Sequence, residues 1–216
     1  MLTVHHLNRS QSERIVWLCE ELGLDYKLVV HARDKTTHLA PPELKALHPI
    51  GSAPVIQDGP VTLAESGAIV DYILGRYGQG RLAYGPQAPE YADYLYWLHF
   101  SNGTLQPTVG RVFMLGRIKT APDEPFVGVV QARLVKCLKL VEDRLAASPY
   151  LAGAEFTAAD IMSMFSLTTM RLFAPLDLTP YPAILAWLKR LAERPTYKRA
   201  MEKGDPGFAP LLGATV

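Results

Sequence analysis

The sequence predicts an α/β first domain followed by an all-helical second one, and three observations carry that reading. Strand and helix patterns alternate through the first third of the chain, and a glycine- and proline-rich stretch interrupts it at residues 78–89. No strand pattern recurs beyond that break. The boundaries that follow are 1–80 for the first domain, 81–89 for a linker and 90–216 for the helical domain.

Leu2 to Leu7 reads as a strand, being rich in apolar and β-branched residues without a helical period. Ile15, Leu18, Cys19 and Leu22 fall at i, i+3, i+4 and i+7, which is one face of a helix that Gly23 closes. Asp25 to Val30 alternates and reads as a second strand. Pro41-Pro42-Glu43 opens a short helix, since proline fits a first helical turn. Val55-Ile56 and Val61-Thr62-Leu63 flank Asp58-Gly59 and predict a hairpin. Val70, Ile73, Leu74 and Tyr77 then restore the helical spacing, giving the order β-α-β-α-β-β-α.

Beyond Gly85-Pro86-Gln87-Ala88-Pro89 a long aromatic helix is expected from about Tyr91, bent or interrupted at Pro107. Leu134, Cys137, Leu138 and Val141 give the next apolar face. Thr157-Ala158-Ala159-Asp160 reads as a capping box with Asp in place of Glu. Ile184, Trp187, Leu188 and Leu191 define a later helix that stops at Arg194-Pro195.

The composition narrows the functional classes. The 216 residues are 49% hydrophobic and 20% charged, enough for a substantial core without staples. A net charge of +1 gives no footprint for nucleic acid or for an anionic membrane, so neither is expected as a partner. Cys19 and Cys137 sit inside apolar helical patterns and make no disulfide framework, which points to a reducing cytoplasm. The N-terminus shows no signal-peptide pattern, and the apolar run Ile161 to Leu176 is broken by Arg171 and Pro175. The six histidines have no paired spacing on a helix face, so no metal is expected. Trp97, Phe100 and Tyr96 read as core and groove wall. Arg9, Arg33, Lys35 and Lys45 read as solvated.

Three short segments could carry chemistry. Pro54 precedes an apolar strand, where a residue without an N–H belongs at a sheet edge or bulge. A cis Ala53-Pro54 bond would turn the Ala53 backbone outward toward an extended peptide ligand; about one X-Pro bond in twenty is cis, so the tripeptide alone favours trans. The surrounding β-α-β-α-β-β-α order reverses that judgement. Glu65-Ser66-Gly67 opens a helix whose free N–H groups suit a carboxylate, with Glu65 placed to hold an ammonium; a plain capped helix start is the competing reading. Ser10 lies between the first strand and first helix. A hydrogen bond to a thiolate contributes about 1.5–3 kcal/mol, and a helix N-terminus adds about 0.3–1 kcal/mol. Together they would bring a thiol from near 8.5 to roughly 6–7. Ser12 is the better helix cap, which leaves Ser10 for a ligand.

These residues together resemble a cytosolic glutathione S-transferase. The likeness is carried by Ser10 with Arg14, by the run from Pro41 to Gly51, by Ala53-Pro54-Val55-Ile56, by Leu63 to Ile69, and by Phe156 to Asp160. It is nearest to the serine-type, theta-like branch of bacteria and fungi and covers essentially the whole chain. The resemblance implies a thioredoxin-like first domain, glutathione as co-substrate, and a homodimer. It implies that Ser10 stabilises the glutathione thiolate, that the Ala53 backbone, held by cis-Pro54, pairs with its cysteinyl part, that Ser52 could donate to the ligand, and that Glu65 and Ser66 hold the γ-glutamyl end. Thr157 and Asp160 would be structural. Ser52 stands where relatives often carry a base, so Lys35, His38 or Lys45 would meet the glycine carboxylate. The expected reaction is conjugation of glutathione to a small hydrophobic electrophile, with peroxide or disulfide reduction and a non-catalytic binding module as alternatives.

Overall fold

In the computed structural model, which describes residues 1–118, 121 and 124–216, β1 (Leu2–Leu7) lies inside a four-stranded sheet. The other strands are β2 (Tyr26–His31), β3 (Val55–Asp58) and β4 (Val61–Ala64), in the order β2-β1-β3-β4. β1 runs parallel to β2, antiparallel to β3, and β3 antiparallel to β4. The parallel β1–β2 pair needs a crossover, and α1 (Glu13–Leu22) supplies it. β3 is an inner strand, which corrects the edge placement expected for Pro54. The proline is tolerated because it stands just outside the ladder, before Val55, whose partners are His5 and Ala64.

The hairpin turn is Gly59-Pro60, since Asp58 pairs with Val61. Gly59 has φ +58, which a type II′ turn requires at its first central position. Asp58 is therefore released from the turn, and its carboxylate accepts hydrogen bonds from Tyr72 and Tyr77. α2 (Pro42–Lys45) buries Leu44 against Leu7, Ala40, Ala53, Val55 and Ala64. α3 (Ser66–Ile73) follows β4 and ends in a π-helical turn over Leu74–Gly78.

The chain divides into two compact units, and the first joins Met1–Ala83 to Ala192–Ala209. In that unit α9 (Pro195–Gly204) packs on α1. α1 is consequently buried almost all round, Glu13, Arg14 and Glu20 included, rather than on the single face its spacing suggests. A helix enclosed on every side belongs to a core.

The second unit comprises Tyr84–Leu191 and Pro210–Val216. α4 (Tyr91–Phe100) passes through a π-helical stretch, Ser101–Leu105, into α5 (Gln106–Arg117). The widened turn lies directly ahead of Pro107, whose ring crowds the carbonyl four residues back and which donates no N–H. α6 (Pro125–Ala147), α7 (Ala158–Leu167) and α8 (Pro182–Ala192) complete it. The capping box forms as expected, Thr157 and Asp160 each accepting the other's backbone N–H. Ile184, Trp187, Leu188 and Leu191 are all fully buried. Trp97 and Phe100 are core, whereas Tyr96 is half exposed and lines a groove with His99 and Thr104.

Candidate functional site

The expected site residues come from three segments of the first unit: the β1–α1 loop, the segment ahead of β3, and the β4–α3 junction. Two side chains bind these segments together: Gln11, which sequence reasoning passed over, and Arg14, which it named only within the family motif. Gln11 Nε2 donates to the Ala53 carbonyl at 3.1 Å. Arg14 Nη1 donates to Gln11 Oε1 at 3.3 Å and to Ser66 Oγ at 3.4 Å. One amide and one guanidinium thus join the Ser10 loop to Ala53 and to the start of α3. Arg14 is fully buried, and burial pulls its pKa down to about 9 against the opposing charge of Glu13. It keeps its positive charge at neutral pH.

The Ala53-Pro54 bond is cis. Ala53 packs in the same apolar cluster as Leu7 and Val55, so the backbone at this point is held from beneath. Ser52 is exposed beside it. Glu65 occupies the N-cap of α3 with φ +68 and ψ 112, and its side chain makes no cap hydrogen bond. That backbone lies outside the regions an ordinary side chain prefers, and such residues cluster at ligand-binding positions. The plain capped start is not what forms: Glu65 is exposed and uncommitted to the helix, while Ser66 is buried in the first turn.

Ser12 is not a cap either. It holds the N-cap position of α1 but turns its hydroxyl inward, where it accepts from Leu7 N–H at 3.0 Å and meets His6 Nδ1 at 2.9 Å. Ser10 Oγ lies 2.7 Å from Ser12 Oγ. Both serines are buried, and Ser10, at 8% exposed against 0% for Ser12, is the nearer of the two to the surface. Behind them His6 Nε2 contacts Asp205 Oδ2 at 3.1 Å. Asp205 also accepts from Asn8 Nδ2 at 3.0 Å and Arg9 N–H at 2.9 Å. Burial alone would raise the Asp205 pKa, but the bonds and charge from His6, with Asn8 and Arg9, hold it below the usual carboxylate value.

A cavity of about 450 Å³ opens beside this loop, lined by Asn8, Arg9, Arg33, His38, Asp205 and Phe208 among others. His38 lines it, while Lys35 and Lys45 do not. Arg33 is not the solvated side chain expected: its guanidinium donates to the carbonyls of Asn8, Arg9 and His38 at 2.9, 2.9 and 3.0 Å. Arg9 lies over the Phe208 ring at 5.5 Å. The only signal of His6 in the sequence is a pair of histidines in an otherwise apolar strand. Asp205 and Gln11 carry none.

Cys19 and Cys137 are both buried, and burial pushes their thiols up to about 12 and about 11. Neither is a nucleophile at neutral pH. Among the described residues no helix is long and apolar enough to cross a membrane, and no three His, Cys, Asp or Glu side chains cluster to hold a metal ion.

A central strand in a β2-β1-β3-β4 sheet, a cis proline ahead of β3 and an all-helical second unit define the glutathione-transferase class of fold. The family models agree. The Glutathione S-transferase, N-terminal domain matches residues 2–75, and the C-terminal domain of the same name matches 105–195. Glutathione S-transferase 3 of Schizosaccharomyces pombe is 31% identical over 98% of this chain and 91% of its own. Glutathione S-transferase 1 of Saccharomyces cerevisiae is 32% identical over 94% of this chain and 95% of its own. A crystal structure of a glutathione S-transferase from Actinobacillus pleuropneumoniae superposes with a TM-score of 0.87 at 33% identity, covering 97% of each chain. The chain belongs to the glutathione S-transferase family and is an enzyme of that family.

Proposed function

We infer that this enzyme conjugates glutathione to small hydrophobic electrophiles and that Ser10 stabilises the attacking thiolate. The observation that carries the reading is the place of Ser10 in the β1–α1 loop, nearer the surface than Ser12, whose hydroxyl lies 2.7 Å behind it. The loop is tied through Gln11 to Ala53 and through Arg14 to Ser66, so one rigid frame presents all three candidate contacts. In this reading the Ala53 backbone beside cis Pro54 pairs with the cysteinyl peptide, Ser52 adds a hydroxyl at the rim, and Ser66 and the α3 N-terminus receive the γ-glutamyl carboxylate. Glu65 receives its ammonium. Catalysis then consists of thiol ionisation and positioning of two substrates. The buried reduced cysteines suit a cytoplasmic enzyme, and a homodimer completes the proposal, checked by mass in solution.

The test is Ser10→Ala. Removing one hydrogen bond to a charged sulfur should raise the bound thiol's pKa by about 1–2 units. An unchanged thiolate titration removes Ser10 from the mechanism. Turnover of an aryl halide well above that of an organic hydroperoxide is the expected preference; the reverse would select the reductase alternative.

A further inference from the structure

We propose that the proton of the bound thiol travels through Ser10 and Ser12 to His6, which Asp205 holds in place. The proposal builds on the reading that Ser10 faces the glutathione sulfur and assigns three further residues to the reaction. Its basis is an unbroken file of polar atoms: Ser10 Oγ to Ser12 Oγ at 2.7 Å, Ser12 Oγ to His6 Nδ1 at 2.9 Å, and His6 Nε2 to Asp205 Oδ2 at 3.1 Å. His6 and Ser12 are 0% exposed and Asp205 3%, so water does not compete along the file.

The hydrogen positions follow from the partners. A carboxylate only accepts, so His6 Nε2 carries a hydrogen toward Asp205. In the neutral ring Nδ1 is then an acceptor, and Ser12 is the donor beside it. Ser12 has one hydrogen, and the competing Leu7 carbonyl is farther away at 3.4 Å. With that hydrogen on Nδ1, the Ser10–Ser12 contact requires Ser10 to donate inward. Every bond in the resting file therefore points from the surface to His6. Ser10 can donate outward to a thiolate only if the file reverses, and reversal requires a proton on Nδ1.

The thiol supplies that proton. The S–H bond breaks as its hydrogen passes to Ser10 Oγ, the Ser10 hydrogen passes to Ser12 Oγ, and the Ser12 hydrogen passes to His6 Nδ1. Three bonds to hydrogen break and three form. Thiol and imidazole become thiolate and imidazolium, both hydroxyls end neutral, and Ser10 is left donating to sulfur. Asp205 is placed to face the imidazolium, and Asn8 Nδ2 and Arg9 N–H already donate to its other oxygen. Gly204 pins the ring: a Cβ there would stand 3.0 Å from His6 Nε2 and 3.3 Å from Cδ2. The other titratable groups facing the pair are Arg9, Arg33 and His38, which line a cavity with Asp205, and His31 and His5 of the sheet.

His6 and Asp205 act through the serines and are positioning residues, so the test reads their protonation directly. Ring-nitrogen NMR of the histidine-labelled enzyme is recorded at neutral pH with glutathione and with S-methylglutathione, which has no thiol proton. His6 should be the neutral Nε2–H tautomer alone and with S-methylglutathione, and should become doubly protonated with glutathione as the thiolate absorbance appears. Thiolate formed while His6 stays neutral overturns the wire and leaves the Ser10 reading intact. No thiolate at all overturns both. In steady-state kinetics, Ser12→Ala and Asp205→Asn should each move the thiol titration up by about one pH unit, about a tenfold loss of thiolate at neutral pH. A folded variant with an unshifted profile counts against the wire. If a variant fails to fold, the wild-type NMR comparison decides alone.

Discussion

Glu65 shows how a single residue can be set against its own backbone. At φ +68 and ψ 112 a side chain is strained, and such positions cost about 1–3 kcal/mol. The strain lies where the proposed ammonium contact would be made. Glu65→Gly should therefore unfold at higher free energy than Glu65→Ala, by about 1 kcal/mol, because glycine tolerates this conformation. Both variants should lose about 1.5–3 kcal/mol of glutathione binding, the worth of a charged hydrogen bond. Equal stability of the two would mean that the backbone there is not strained. The residue was legible as a candidate from its place before Ser66-Gly67. Its conformation was not, since nothing within a few residues demands a positive φ of a glutamate.

At the scale of elements, α7 is fixed by its N-terminus. Asp160 is fully buried and accepts from Leu151 N–H and Thr157 N–H, each at 3.0 Å, and from the Trp187 indole at 2.9 Å. One carboxylate so joins the capping box to α8. Asp160→Ala strands those donors and should cost about 3 kcal/mol, whereas Thr157→Ala should cost about 1 kcal/mol. Chemical denaturation separates the two. Burial lifts the Asp160 pKa to about 6 despite the hydrogen bonds. A group whose folded pKa exceeds its unfolded value of about 3.9 binds more protons when folded. Its contribution is complete below about pH 4 and declines as pH rises to about 6. The stability difference between wild type and Asp160→Asn should fall over that window. A flat difference would contradict the assignment. The motif was readable because Thr157 and Asp160 are three residues apart; the partners Leu151 and Trp187 were not.

Over the first unit as a whole, acid should act in the opposite sense through the seam between α1 and α9. Glu21 receives Arg194 in a two-pronged pair at 2.7 and 2.8 Å, with Trp17 and Thr196 also donating to it. Glu20 receives Lys203 at 2.6 Å, Tyr26 at 2.8 Å and Arg199 at 3.3 Å. Burial would raise both carboxyl pKa values, but these bonds more than offset it and both are lowered. A depressed carboxyl stabilises above its unfolded pKa, about 4.3, and the benefit is lost as pH falls through the folded value. Amide exchange in residues 195–204 should thus accelerate below about pH 4 before the sheet opens. Simultaneous loss of protection in β1 and α9 would show that the seam is not the weak point.

The sequence by itself determined the β-α-β-α-β-β-α order of the first third, the capping box and the segments worth suspecting. All of these rest on residues within a turn or two of one another, where periodicity and cap chemistry act. Tertiary structure alone decided which side chains meet around the candidate site. Gln11 finds Ala53, Arg14 finds Ser66, and His6 finds Asp205 across 199 positions of chain. It also made β3 an inner strand and turned Ser12 from an expected cap into the link between Ser10 and His6. The physical reason is common to these cases: a buried polar group takes whatever partner the packed chain brings within about 3 Å, and no local pattern records that partner.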